Sequence, residues 1–88
     1  MTREDIWGVI RKHLGDAIDD LDVDAIDTSK SMKDYGANSL DLVEVVSRSM
    51  RELKVKIPRA ELNKLTNIDG LIDLFHKTIE ERDAAQAS

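Results

Sequence analysis

The chain has 88 residues, a net charge of −5 and no cysteine. This length fits one small domain, and the absence of cysteine excludes disulfides and zinc–thiolate sites. The acidic balance argues against a nucleic-acid partner, which requires a basic surface, and fits association with basic surfaces on other proteins. No apolar run approaches the roughly 20 residues that span a bilayer, and the N-terminus lacks a signal-peptide segment. We therefore expect a cytoplasmic domain without a membrane partner.

The first predicted helix begins after Thr2, because acids at positions 4 and 5 follow it in the first turn. Apolar residues then recur at helical spacing, and Gly15 predicts the end of the helix. The apolar residues of this stripe are Ile6, Val9, Ile10 and Leu14. His13 lies near the C-terminal end, where a partial positive charge is stabilising, and no second ligand or base accompanies it. A structural role is therefore favoured for His13.

A long connection runs from Gly15 to Asn38, in which aspartates alternate with single apolar residues. Clustered aspartates suggest a calcium loop, but the loop glycine and the twelfth-position glutamate are not where that site requires them. We therefore predict no metal site. The single apolar residues should pack on the core, with Met32 and Tyr35 as anchors just before the break at Gly36.

The second predicted helix runs from Ser39 to about Leu53 and is amphipathic. We expect Val43, Val46, Met50 and Leu53 to face the core, because steps of three and four residues place them on one face. The residues predicted to point largely away from the core are Leu40, Asp41, Glu44, Val45, Arg48 and Arg51.

Pro58 ends this region, and a brief third helix is predicted over 59–65, before Thr66 or Asn67 caps a last helix. The domain should cover residues 1–82, followed by a disordered tail over 83–88. The predicted fold is all-α. It is a small four-helix bundle of three principal helices and one short helix, with a long loop between helices 1 and 2. The capped start and the ragged end favour a free-standing protein, and we expect the bundle to be a monomer. Nothing in the sequence indicates a preformed cavity.

Ser39 falls within the first turn of the second helix. Helix N-termini present unpaired N–H groups and a positive dipole end, which favour a phosphate nearby. Serine is also a preferred N-cap, so a purely structural role is the alternative, although Asn38 can take that role and leave the Ser39 hydroxyl free. A serine hydrolase fits poorly, because His13 and His76 lie on other helices and the pattern Gly-x-Ser-x-Gly is absent.

Residues 36–41 (Gly-Ala-Asn-Ser-Leu-Asp), followed by 43–46 (Val-Glu-Val-Val) and by Ile57-Pro58, resemble the acyl carrier protein family. The resemblance extends from about residue 6 to about residue 79. It implies that Ser39 is the attachment point of 4'-phosphopantetheine, transferred from coenzyme A by a phosphopantetheinyl transferase. It also implies that the chain is not an enzyme. Its expected partners are an acyltransferase or acyl-loading enzyme, a ketosynthase and tailoring enzymes.

A partner-binding face is predicted beside this serine. Leu40 and Val45 are expected to be exposed and to anchor a partner's groove, while Asp41 and Glu44 offer negative charge to a basic patch. Arg48 is included in this face, although Glu44 and Arg48 are also spaced as an ordinary helix-surface ion pair.

The C-terminal half of the second helix is basic, with Arg51, Lys54 and Lys56 after Arg48. Carriers of the fatty-acid type stay acidic along this helix, and Asn38 here replaces the usual aspartate. In these two features the chain resembles discrete carriers of polyketide pathways. The alternatives are a fatty-acid carrier, an aminoacyl or peptidyl carrier and, in a different class, a helical adaptor that binds a partner peptide without a prosthetic group.

Overall fold

A computed structural model describes residues 1–87, and the helices of this part of the chain form a bundle without strands. The helices are α1 (Arg3–Ala17), α2 (Ser39–Leu53), α3 (Arg59–Leu62) and α4 (Ile68–Ala87). Two short 3-10 segments, Val23–Ala25 and Met32–Tyr35, lie in the loop between α1 and α2. The all-α prediction, with three principal helices, one short helix and a long first loop, is confirmed. Across 1–87, no helix is long and apolar enough to cross a membrane.

Helix α1 begins where its sequence predicts and ends two residues later than expected. The Thr2 hydroxyl accepts a hydrogen bond from the Asp5 N–H, and the Asp5 carboxylate accepts one from the Thr2 N–H, both at 3.2 Å. This reciprocal capping holds the first turn. Gly15 lies inside the helix and does not end it, and its missing side chain makes room for the loop. A Cβ there would lie 2.8 Å from Cγ1 of Val23.

The buried face of α2 differs from the predicted one. Val45 is fully buried, so its predicted exposure is wrong, and Val43, predicted to be in the core, is 47% exposed. Met50 is only half-buried. Branched apolar residues lie on several faces of this helix, so its periodicity allows more than one rotation about the axis, and packing against α1 selects one. The buried residues of α2 are Val45, Val46, Ser49 and Leu53.

The long loop is tied to the start of α4 by backbone hydrogen bonds. The Ile68 N–H donates to the Lys30 carbonyl at 2.9 Å, and the Asp69 N–H donates to the Thr28 carbonyl at 2.8 Å. The first turn of a helix leaves such donors without intrahelical partners, so the loop satisfies them. The loop is thereby held against the end of the bundle that also carries Ser39.

Met32 and Tyr35 anchor the same loop, as predicted. Met32 is buried, and Tyr35 packs against the core cluster. The Tyr35 hydroxyl also accepts a hydrogen bond from the Asp27 N–H at 2.6 Å. The 3-10 segment that carries both side chains is therefore fixed in position immediately before α2.

Of the two predicted caps of α4, Asn67 forms the cap, since its side-chain oxygen accepts the Gly70 N–H at 2.7 Å. The helix continues past Arg82, where the domain was predicted to end, to Ala87. The Arg82 guanidinium donates to the carbonyls of Leu53 (2.9 Å) and Lys54 (2.7 Å), which ties α4 to the end of α2. The division into a domain over 1–82 and a tail over 83–88 stays a prediction, and residue 88 lies outside the described residues.

Glu52 links α2 to α1 and makes the stability of the fold depend on pH. Its carboxylate lies 2.7 Å from Lys12 Nζ and 3.1 Å from His13 Nε2. The hydrogen bond from Lys12, aided by His13, lowers the pKa of Glu52 below its ordinary value of 4.5. A carboxylate with a lowered pKa stabilises the fold above its unfolded-state pKa, and this contribution is lost as the pH falls through the folded-state pKa.

We therefore expect the urea midpoint to fall as the pH drops below about 4.5, and to fall less steeply in Glu52→Gln. The measurement is urea unfolding, followed by circular dichroism, at several pH values on both sides of this point. Glu81→Gln is the control, because Glu81 is exposed and its side chain makes no ion pair in the described chain. If the urea midpoint depends on pH with the same slope in the wild type and in Glu52→Gln, the ion pair of Glu52 with Lys12 contributes nothing to stability.

Candidate functional site

Ser39 is the first residue of α2, and its hydroxyl is not used to cap the helix. Asn38 is the cap: its side-chain oxygen accepts the Asp41 N–H at 2.8 Å, and the Asp41 carboxylate accepts the Asn38 N–H at 3.2 Å. Ser39 is exposed, and its hydroxyl makes no hydrogen bond to any other residue that the structure describes. Its oxygen is thus open to an approaching enzyme.

Gly36 makes the turn that brings the chain from the loop to α2. Its φ of 95° lies in the left-handed region, and its N–H donates to the Lys33 carbonyl at 3.1 Å. The next residue, Ala37, is buried and donates to the Met32 carbonyl at 3.2 Å. Ala37 is fixed in the core, and the chain emerges at the surface directly after it, at Asn38 and Ser39.

Replacing Gly36 by alanine should lower the free energy of unfolding by about 1–2 kcal/mol, since a left-handed backbone is costly for a residue with a Cβ. A Cβ at this position meets no atom within 4 Å, so backbone strain is the only penalty. The matched control is Gly8→Ala, inside α1, where a Cβ is equally free and alanine should stabilise by up to about 1 kcal/mol. Urea unfolding of both variants tests the sign, and two shifts of the same sign would contradict the strain argument.

A cavity of about 810 Å³ opens beside Ser39, between α2, α3 and the start of α4. Helix α3 ends at Leu62 and not at the predicted position 65, so it is a single turn that cannot cover the neighbouring face of α2. This explains why Val43 and Met50 are incompletely buried. The sequence does not predict this cavity, because the helix that it predicts over 59–65 would have about two turns and would cover this face of α2. Apolar residues of its wall include Val46, Met50, Ile57, Leu62, Ile68 and Leu71.

The predicted partner-binding face is only partly assembled. Leu40 is 79% exposed, in agreement with the prediction, whereas Val45 lies in the core and is unable to contact a partner. Val43, three residues after Leu40, takes its place as the second exposed apolar residue beside the serine. The pair that the structure presents is therefore Leu40 and Val43.

The charged residues of this face are already engaged within the chain. The Asp41 carboxylate caps α2 through the Asn38 N–H. Glu44 accepts a hydrogen bond from Arg48 at 2.5 Å, one turn further along the helix. Glu44 and Arg48 are about half exposed, and an exposed pair of this kind contributes only a few tenths of a kcal/mol, so either side chain is easily drawn to a partner.

The surroundings of Ser39 contain no histidine base. His13 Nε2 lies 3.1 Å from Glu52, His76 Nε2 lies 3.3 Å from Glu80, and neither ring lines the cavity. Among residues 1–87 there is also no group of three or more His, Cys, Asp or Glu side chains that could hold a metal ion. The arrangement exposes the Ser39 hydroxyl to solvent and places no histidine of residues 1–87 beside it as a general base.

Residues 9–75 match the family model described as "Phosphopantetheine attachment site". The chain is 25% identical over 80 residues to a polyketide biosynthesis acyl-carrier-protein of Bacillus subtilis, a match that spans 91% of this chain and 98% of that protein. It is 32% identical over 73 residues to the acyl carrier protein of Campylobacter jejuni subsp. doylei, across 82% of this chain and 88% of that one. A methylphloroacetophenone synthase of Cladonia uncialis is also 32% identical over 73 residues, which are 3% of its length. No solved structure gives a significant match.

Proposed function

Because the chain belongs to the acyl carrier protein family, whose members bear 4'-phosphopantetheine, we propose that Ser39 is the residue that carries this group. The observation that supports the proposal is the exposed Ser39 hydroxyl, free of hydrogen bonds within the described chain, at the start of a fifteen-residue helix. Family membership also means that the protein is a carrier and not an enzyme.

The residues around Ser39 fit a phosphodiester. The side-chain oxygen of Asn38 accepts the Asp41 N–H and its carbonyl oxygen accepts the Leu42 N–H, whereas the N–H groups of Ser39 and Leu40 have no partner within residues 1–87. Open N–H groups and the positive end of the helix dipole stabilise a phosphate at this point. The bound group supplies a thiol that holds acyl chains as thioesters. The contribution of the chain is to position that group and to present Leu40 and Val43 beside it.

The test is the intact mass of the apo protein after incubation with coenzyme A and a phosphopantetheinyl transferase of broad specificity. We expect the addition of one phosphopantetheine. Cleavage by trypsin after Lys33 and Arg48 leaves Ser39 and Ser47 in one peptide, so fragmentation of that peptide must assign the site. No addition, under conditions that modify a control carrier, would favour the helical adaptor without a prosthetic group.

We propose further that the protein delivers acyl intermediates to enzymes of a polyketide pathway in the cytoplasm. The similarity to a polyketide carrier along nearly its whole length supports this assignment. The basic end of α2 and the basic segment after it support it independently. Arg51, Lys54 and Lys56 are exposed and form no ion pair with the described residues, so they would repel a partner built for an acidic helix. The partners are a transferase, an acyl-loading enzyme, a ketosynthase and tailoring enzymes.

Binding to a fatty-acid ketosynthase separates this assignment from a fatty-acid carrier. We expect the holo protein to bind more weakly than an ordinary fatty-acid carrier at low salt, with the difference shrinking as salt screens the repulsion. Arg51→Glu should strengthen binding, because it restores an acid to the helix. Equal affinity of the two wild-type carriers, with the same salt dependence, would favour the fatty-acid alternative.

A further inference from the structure

The cavity beside Ser39 has a positive lining although the chain as a whole is acidic. The chain has 18 Asp and Glu residues, and none of them lines the cavity within the part of the chain that the structure describes. Lys33 and Arg59 do line it. Both are exposed, and neither side chain makes an ion pair or a hydrogen bond with any residue of 1–87. Two uncompensated cations thus border an apolar wall.

The chain segments that carry these two cations lie at opposite ends of α2. Lys33 belongs to the 3-10 segment that leads into α2 and is near Ser39. Met50 lies eleven residues after Ser39 on the same helix, which places it about 16 Å further along the axis. The Ile57 N–H lies 3.3 Å from the Met50 sulfur, and Arg59 follows two residues later. Arg59 therefore lies at the end of the cavity remote from the serine.

From this arrangement we propose that Arg59 makes the cavity selective for acyl chains that end in a carboxylate. The inference rests on the proposed attachment at Ser39. A phosphopantetheine arm that lies along the apolar wall from Ser39 carries the thioester part of the way, and a short acyl chain then brings its terminal group to Arg59. A guanidinium binds a carboxylate through paired hydrogen bonds. A terminal methyl group gives the guanidinium no hydrogen bond in place of the water that the guanidinium loses. Asn63, which also lines the cavity, adds a neutral donor on the same side.

The test compares hexanoyl and adipyl groups, which have the same number of carbons but end in a methyl and a carboxylate. Each is loaded from its coenzyme A thioester by a transferase of broad specificity onto the wild type, Arg59→Gln and Arg51→Gln. Arg51 is the matched control, an exposed arginine on α2 that has no ion-pair partner in the described chain and does not line the cavity. The readouts are the rate of thioester cleavage by hydroxylamine and the amide and methyl NMR shifts of Ile68 and Leu71. Each rate is divided by that of the same acyl group on free pantetheine.

In the wild type and in Arg51→Gln, we expect normalised cleavage of the adipyl thioester to be about two- to fivefold slower than that of the hexanoyl thioester. The adipyl group should also give the larger shifts at Ile68 and Leu71. In Arg59→Gln both differences should disappear, and in the wild type high salt should reduce them.

The intact mass is measured first, so that two kinds of failure are separated. No mass gain on any variant overturns the attachment at Ser39 and this inference together. Loading that succeeds, with adipyl protected no better than hexanoyl, overturns only the inference. It is equally overturned if the adipyl advantage survives in Arg59→Gln.

Discussion

Ser39→Ala should abolish the gain of phosphopantetheine while leaving the bundle as stable as the wild type. The exposed hydroxyl makes no hydrogen bond within the described residues, and Asn38 and Asp41 already cap the helix. Alanine is the best helix former, so we expect a change of less than about 0.5 kcal/mol in the free energy of unfolding. Intact mass after incubation with coenzyme A and a transferase measures the first effect, and urea unfolding measures the second.

The controls for this variant are two other serines of α2. Ser47 is half-buried in the cavity wall, and Ser49 is fully buried. Ser47→Ala and Ser49→Ala should both gain one phosphopantetheine, because neither changes the start of the helix. Residual addition to Ser39→Ala would show that the group is attached elsewhere, and loss of addition in Ser47→Ala would point to a second requirement in the wall.

Val45→Asp should unfold the protein, whereas Val43→Asp should leave it folded. Val45 has no exposed surface, so an aspartate there buries an unpaired carboxylate and loses apolar packing, at a cost of several kcal/mol. That cost is comparable to the whole stability of a small domain. Val43 is 47% exposed, and aspartate there should change stability by no more than about 1 kcal/mol. Circular dichroism and urea unfolding measure both.

The pair of variants also tests which residue a partner contacts. Folded Val43→Asp should accept phosphopantetheine more slowly than the wild type, because it places a charge in the exposed apolar pair with Leu40. The matched control is Ala84→Asp, which adds the same single charge at an exposed position of α4 and should accept phosphopantetheine at the wild-type rate. If Val43→Asp unfolds and Val45→Asp does not, the orientation of α2 described here is wrong.

The features that the sequence determines are local. The capping residues Thr2 and Asn38 lie within three positions of the N–H groups that they bind. Their roles can therefore be predicted without knowledge of the rest of the chain. The left-handed turn at Gly36 is equally local. These signals identify the start of α2, and with it the serine that stands free at the surface.

The rotation of α2 and the cavity beside it were decided by tertiary packing alone. Val43 and Val45 have identical side chains and differ only in which helices lie opposite them, so no pattern within α2 separates the buried valine from the exposed one. The cavity likewise exists because α3 stops after one turn, at Leu62. Arg59 borders it only because the segment after α2 folds back on Met50. The contacts between α1 and α2 that set this rotation join residues far apart in the chain, and propensity and periodicity carry no information about them.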